Sequence, residues 1–192
     1  MTDVASPDRA IATEIAGGEQ KGWQVVPARR LRLLSSLLNA PGEESLDVVA
    51  LLAKEADWLA GPLGEVRATP LEQWQAEHTR LFVNGFPRTA CPPFASAYVQ
   101  GAMNSASAAK ATDFYARLGL VPTPGLPADY LGTLLECAAY LADGGLAAAE
   151  ETRAAFWAQL LQPWLPRFAN DLRSSARMQI YRALGAELAA LP

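Results

Sequence analysis

From Ala28 onward the apolar positions Leu31, Leu34, Leu37 and Leu38 recur at three- and four-residue steps, which puts them on one helical face until Pro41-Gly42 breaks the pattern. A second stripe, Val48, Val49, Leu52, Ala56 and Leu59, is expected to form a helix capped by Ser45 and stopped at Gly61-Pro62, making an αα-hairpin with the first. Thr69-Pro70-Leu71-Glu72 predicts a third helix start: Thr69 as the cap, Pro70 in the first turn and Glu72 closing a capping box. The inward face of that helix reads Trp74, His78, Leu81 and Phe82, with Gly85 ending it in a left-handed conformation. His78, alone in an apolar stripe, reads as a hydrogen-bonded core residue.

Pro87, Pro92 and Pro93 forbid a helix interior or central strand between Gly85 and Tyr98 and predict a stiff, extended link. Beyond it, a helix from Ser105 or Ser107 carries Phe114, Tyr115 and Leu118 inward and ends at Gly119. After a proline-broken stretch from Leu120 to Leu126, Pro127 is expected to open a helix with a core stripe of Leu131, Leu134, Leu135, Ala138 and Leu141. Its other face is expected to carry Asp129, Thr133 and Glu136. Phe156, Leu160, Leu161, Trp164 and Phe168 continue the pattern with bends at Pro163 and Pro166, and a last helix runs through Ile180, Leu184, Leu188 and Leu191. No alternating strand pattern and no internal repeat appears. The reading is all-α: a single-domain bundle of about eight to ten helices over residues 27–192, after a loose N-terminal extension over 1–26.

Charge and composition narrow the function. Sixteen basic against twenty acidic residues give a net charge of −4, which supplies no field for gathering a phosphate backbone and argues against a nucleic-acid partner. With 51% apolar residues a packed core is expected, yet no run approaches the ~20 residues of a membrane span. Arg29-Arg30 before Leu33 and Leu34 superficially resembles an export leader, but Arg32, Ser35 and Ser36 dilute the apolar run and an amphipathic helix is the better reading. Cys91 and Cys137 are read as free, packed thiols in a reducing compartment, and with His78 as the lone imidazole they form no zinc cluster.

Catalytic patterns are scarce. The glycine-rich phosphate cradles are missing, as is the Gly-x-Ser-x-Gly elbow, and any triad would have to draw His78 out of the core. Asp129 and Glu136, seven apart on the expected helix, leave one enzymatic alternative, an acid and base pair. Two exposed carboxylates on a solvated face is the simpler account.

Glu77-His78-Thr79-Arg80-Leu81-Phe82, Pro92-Pro93-Phe94-Ala95-Ser96-Ala97-Tyr98 and Pro127-Ala128-Asp129-Tyr130 come in the order and spacing of one family. With Phe114 to Leu120, Phe156-Trp157 and Pro163 to Phe168, the chain from Arg29 onward resembles the TorD/DmsD family of molybdoenzyme assembly chaperones. The resemblance implies an all-helical cytoplasmic protein, without cofactor or catalysis. Its partner would be the twin-arginine signal peptide and apo form of a molybdopterin oxidoreductase catalytic subunit, held until cofactor insertion and before export. Carried onto this chain, the family's signal-peptide site implies Trp74, Leu81, Phe82, Pro92, Pro93, Phe94, Ser96, Tyr98, Pro127 and Asp129. Tyr130 stands where the family usually has histidine, which keeps a hydrogen-bonding aromatic tip and loses a group that titrates near neutrality.

A leader with paired guanidinium groups and an apolar segment calls for carboxylates beside a greasy groove. Asp129 and Glu136 are the candidate carboxylates, and Trp74, Leu81, Phe94 and Tyr98 the candidate wall. At helical spacing, Trp74, Leu81 and Phe82 read more readily as core than as contact residues even within the family. The Pro92-Pro93 turn also reads as a stiffened link, and Asp129 as a charge at a helix N-terminus. A permanent non-catalytic oxidoreductase subunit is a third reading, and the proline-rich links allow a monomer or a domain-swapped dimer.

Overall fold

The computed structural model describes residues 26–99, 106–122, 125–145 and 149–192. Among them are ten α-helices and no strand, the expected all-α bundle. Of the expected N-terminal extension only Val26 is described, and it is buried in the core and not loose; residues 1–25 and Ser105 lie outside the described residues. Helix α1 (Ala28–Ser36) buries Leu31 and Leu34 as its spacing requires, and lies along α7 (Leu131–Ala142), whose Leu131, Leu134, Leu135 and Leu141 form the opposing face. Ser35 Oγ donates to the Gly132 carbonyl at 3.1 Å, and Arg32 pairs with Asp143 at 2.6 Å near the end of the same contact.

The second extensive pairing joins α9 (Leu165–Ser175) to α10 (Gln179–Ala189). Gly185 lets these helices touch: a Cβ there would lie 2.9 Å from the Ala169 carbonyl oxygen and 3.0 Å from the Arg173 nitrogen. Phe156, Trp164, Phe168 and Tyr181 fill the space between the pairings, in one apolar cluster running from Val26 to Leu188. Burial of each phenylalanine contributes about 1.5–3 kcal/mol. Trp74 Nε1 donates to the Tyr181 hydroxyl at 3.0 Å, so both polar tips are satisfied inside the core. Cys91 and Cys137 are free and buried, as expected, and burial pushes their thiols up to about 11 and about 12.

Several expected helix boundaries are displaced. The stripe from Val48 to Leu59 is not one helix but α2 (Ser45–Leu52) followed by a 3₁₀ turn over Asp57–Leu59, and Val48 faces solvent while Val49 is buried. Ser45 does not cap α2; its hydroxyl accepts the Gly42 N–H from inside the first turn. Gly61-Pro62 does not stop a helix but lies in the first turn of α3 (Ala60–Ala68), where proline's missing N–H costs nothing. Nor does the capping box form: Thr69 is the extended residue ending α3, its hydroxyl donates to the Glu65 carbonyl at 2.8 Å, and Pro70 precedes α4 (Leu71–His78) without a side-chain cap.

Helix α4 and helix α8 (Glu150–Phe156) each widen into one π-helical turn, Thr79–Val83 and Trp157–Leu161, closed by Asn84 N–H to the Thr79 carbonyl and Gln162 N–H to the Trp157 carbonyl. Gly85 is therefore not a left-handed cap. It is a point of close approach, where a Cβ would sit 2.8 Å from the carbonyl oxygens of both Arg80 and Arg88. His78 is in the core as expected, its Nε2 donating to the Leu38 carbonyl at 3.1 Å. Burial holds its imidazole below the usual range, only partly offset by that hydrogen bond. Pro127 does not open α7, which begins four residues later; Pro127 to Tyr130 forms a turn in which the Tyr130 N–H donates to the Pro127 carbonyl. Ser107 lies within the first turn of α6 (Ala106–Arg117).

Glu77 ties the two halves of the bundle. Buried at 6% exposure, it accepts Arg80 Nε at 2.8 Å, Arg80 Nη2 at 2.9 Å and the Arg177 backbone N–H at 2.6 Å. Burial pushes its carboxyl upward, but the Arg80 and Arg177 hydrogen bonds and charges outweigh this and hold it below the ordinary 4.5. Its stabilising contribution is therefore complete above pH 4.5 and lost as pH falls through the depressed folded value. Glu77→Gln is expected to cost about 2–3 kcal/mol in urea denaturation at pH 7 and to flatten the acid limb of stability against pH. An unchanged acid limb would exclude this role for Glu77.

Candidate functional site

Two proline-bearing turns, distant in sequence, lock together at one end of the bundle. The expected extended link is not straight: just before α5 (Ala95–Val99) it folds into a tight turn in which the Phe94 N–H donates to the Pro92 carbonyl at 2.9 Å, and the Pro127 turn runs against it. Two main-chain hydrogen bonds join them, Ala95 N–H to the Asp129 carbonyl at 3.1 Å and Leu131 N–H to the Pro93 carbonyl at 2.9 Å, and together they make an isolated antiparallel bridge between Phe94 and Tyr130. The rings of Phe94 and Tyr130 lie 5.7 Å apart, and the Tyr130 hydroxyl donates at 3.3 Å to the Leu38 carbonyl that also receives His78. Tyr115 closes the turn from behind by donating to the Ala128 carbonyl at 3.0 Å.

Asp129 is the polar centre of this junction. It is 1% exposed, and its Oδ2 accepts the Ser96 backbone N–H at 2.8 Å, satisfying an orphan donor in the first turn of α5. Among the described residues Oδ1 has no hydrogen-bond partner, and neither has the buried Ser96 hydroxyl or the Tyr98 hydroxyl. A carboxylate with one oxygen committed and the other free retains a strong acceptor site. Burial pushes the Tyr98 phenol well above its ordinary range, so that group stays protonated.

Asp129 lines a cavity of about 340 Å³ between α5, α6, α7 and the second π-helical turn. Ala95, Val99, Leu134, Leu160 and Trp164 give it apolar walls; Gln159 and the exposed Lys110 add polar groups. The volume lies at the small end of ligand pockets and suits a few side chains of an extended segment. Among the described residues no cluster of histidine, cysteine, aspartate or glutamate is arranged to hold a metal ion.

The structure brings together Pro92, Pro93, Phe94, Ser96, Tyr98, Pro127, Asp129 and Tyr130, but only Asp129 of these lines the cavity. Tyr98 turns instead onto Trp164 and Phe168, at ring distances of 5.6 and 5.9 Å, beneath the Arg167 guanidinium. Trp74, Leu81 and Phe82 are core residues under α9 and α10; Phe82 packs between His78, Tyr181 and Phe168. Glu136 is exposed on α7, whereas Asp129 precedes that helix and is buried, so the expected shared face does not exist and the acid and base pair with it. Helical periodicity cannot extend through the Pro127 turn, which re-aims Asp129 at α5. Of the wall residues, Leu134, Leu160 and Trp164 read in the sequence only as core-stripe positions, and no local pattern marks Val99.

The all-helical fold is shared with a solved structure from Archaeoglobus fulgidus described as a redox enzyme maturation protein, which superposes with a TM-score of 0.65 over 90% of this chain and 97% of its own, at 22% identity. The family model described as nitrate reductase delta subunit matches residues 43–170, and the chain belongs to that family. Chaperone protein YcdY of Escherichia coli (strain K12) is 28% identical over 118 residues, 62% of this chain, and the match spans 60% of YcdY's own length. The resemblance to the TorD/DmsD chaperones is thus borne out at the level of family.

The two Asp129 oxygens have separable roles. Asp129→Ala removes the acceptor for Ser96 and is expected to cost about 1–2 kcal/mol in chemical denaturation, whereas Asp129→Asn keeps an acceptor oxygen and should stay within about 0.5 kcal/mol of the parent. Equal losses in the two variants would show that the negative charge, and not the hydrogen bond, supports α5.

Proposed function

We propose that this protein is a non-catalytic assembly chaperone of the cytoplasm. It binds the twin-arginine signal peptide and the apo form of a molybdopterin oxidoreductase catalytic subunit, and holds them until the cofactor is inserted and before export. The observation that carries this reading is the buried Asp129 carboxylate, with one oxygen capping α5 and the other unpartnered, in the wall of an apolar cavity. Family membership supports the maturation role, and the printed name of the Escherichia coli relative, a chaperone, agrees with it.

The physics assigns two tasks. A leader guanidinium that reaches Asp129 Oδ1 forms a charge-assisted hydrogen bond of about 1.5–3 kcal/mol, enough to orient the peptide. Apolar residues following the arginines, seated against Val99, Leu134, Leu160 and Trp164, supply about 25 cal/mol for each Å² removed from water, less the cost of ordering the segment. Affinity comes mainly from the apolar walls, and selection for arginine from the carboxylate. Lys110 opposes a cationic ligand, but its exposed ammonium is solvated and free to turn away.

Calorimetry with a molybdoenzyme twin-arginine leader peptide, and with the full apoenzyme, tests the proposal. Asp129→Asn should weaken the leader about ten- to a hundredfold at unchanged melting temperature, and Lys110→Gln should strengthen it severalfold. Absence of binding to both peptide and apoenzyme overturns the reading.

A further inference from the structure

The mouth of a second cavity, distinct from the Asp129 groove, is basic. It encloses about 330 Å³ and is lined by Arg80, Arg88 and Arg177 together with Gly85, Phe86 and Ser175, with no acidic residue in its wall. Arg80 is balanced by Glu77, whereas Arg88 and Arg177 are exposed and make no ion pair among the described residues. Arg88 and Arg177 thus present exposed guanidinium groups at this mouth on a chain whose net charge is −4, with Arg177 also within electrostatic reach of the Glu77 carboxylate.

Beside them the loop after the first π-helical turn presents Phe86 fully exposed and Val83 at 64% exposure. This loop is fastened at its base: Cys91 N–H donates to the Leu81 carbonyl and Asn84 N–H to the Thr79 carbonyl, both at 2.8 Å, and Gly85 lets it fold back onto Arg80 and Arg88. Opposite, the Glu77 carboxylate anchors the backbone of Arg177, and Arg80 Nη2 donates to the Ser175 carbonyl at 2.7 Å. Both walls are therefore held in place by hydrogen bonds, and among the described residues the fully exposed Phe86 ring packs against nothing. A fastened loop that exposes an aromatic ring beside exposed guanidinium groups matches a ligand that carries carboxylates next to an apolar side chain. The chain's acidity elsewhere would repel such a ligand and concentrate it at this mouth.

We infer that the Val83–Ala90 loop and Arg177 form a second docking surface, for an acidic peptide segment of a partner protein with an apolar residue next to its carboxylates. It differs in sign from the Asp129 groove and stands whether or not that groove binds a leader.

Fluorescence anisotropy with a short labelled peptide alternating glutamate and leucine, against its lysine and leucine counterpart, tests the surface. The acidic peptide is expected to bind and the basic one not to. Rising salt should weaken the acidic peptide, Phe86→Ala should weaken it severalfold, and Arg88→Glu with Arg177→Glu at least tenfold, while Asp129→Asn leaves it unchanged. Circular dichroism checks the fold of each variant, and Arg88→Gln with Arg177→Gln provides a milder pair. Equal binding of both peptides, or indifference to the arginine variants, overturns the inference. Complete displacement by inorganic phosphate would make this a small-anion site, and concentration-dependent self-association abolished by Phe86→Ala would make the occupant a second copy of the chain; either result also overturns it.

Discussion

Backbone N–H groups at the starts of helices must find acceptors, and in this bundle carboxylates from remote segments, two buried and one partly exposed, provide them. Asp129 accepts the Ser96 N–H, Glu65 the N–H groups of Gln179 and Ile180 at the start of α10, and Glu77 the Arg177 N–H just before it. Each contact spans a large sequence separation and fixes one helical unit against another. A cap of this kind does more than satisfy a donor. It makes formation of a helix end conditional on the docking of its neighbour, which couples local structure to assembly of the bundle.

The candidate site is a by-product of that device. Asp129 meets a first-turn N–H of α5 that, like those of any α-helix, has no intrahelical acceptor, and the turn from Pro127 delivers it there with the Phe94 and Tyr130 bridge alongside. Only one carboxylate oxygen is needed for the cap, so the other is left unpaired in the wall of an apolar cavity. Tyr130 takes a place in the same scaffold: its hydroxyl and His78 share the Leu38 carbonyl, joining the end of α1 to the site. The Tyr130 hydroxyl thus makes a hydrogen bond that needs no titration, and burial raises its phenol further from ionisation.

Neither concavity owes its character to charge density along the chain. The groove is apolar with a single buried acid; the basic mouth collects Arg80, Arg88 and Arg177 from two well-separated stretches. Glu77 separates them electrostatically, neutralising Arg80 within the fold and leaving Arg88 and Arg177 to face solvent. A net charge of −4 conceals both features.

Helical class, the packed faces of α1, α7 and α10, the burial of His78 and the free thiols were legible in the sequence, since three- and four-residue spacing of apolar residues is a local property that the finished fold retains. The ordered strings from Glu77 to Tyr130 likewise carried the family. Caps were not legible: Ser45 and Thr69 have the right chemistry but yielded to other hydrogen bonds, while the acids that satisfy α5 and α10 come from far along the chain. The separation of Asp129 from Glu136, the two π-helical turns and the unpaired oxygen were decided by tertiary structure alone. A donor is satisfied by whichever acceptor the packed chain brings within about 3 Å, and sequence spacing does not record that distance.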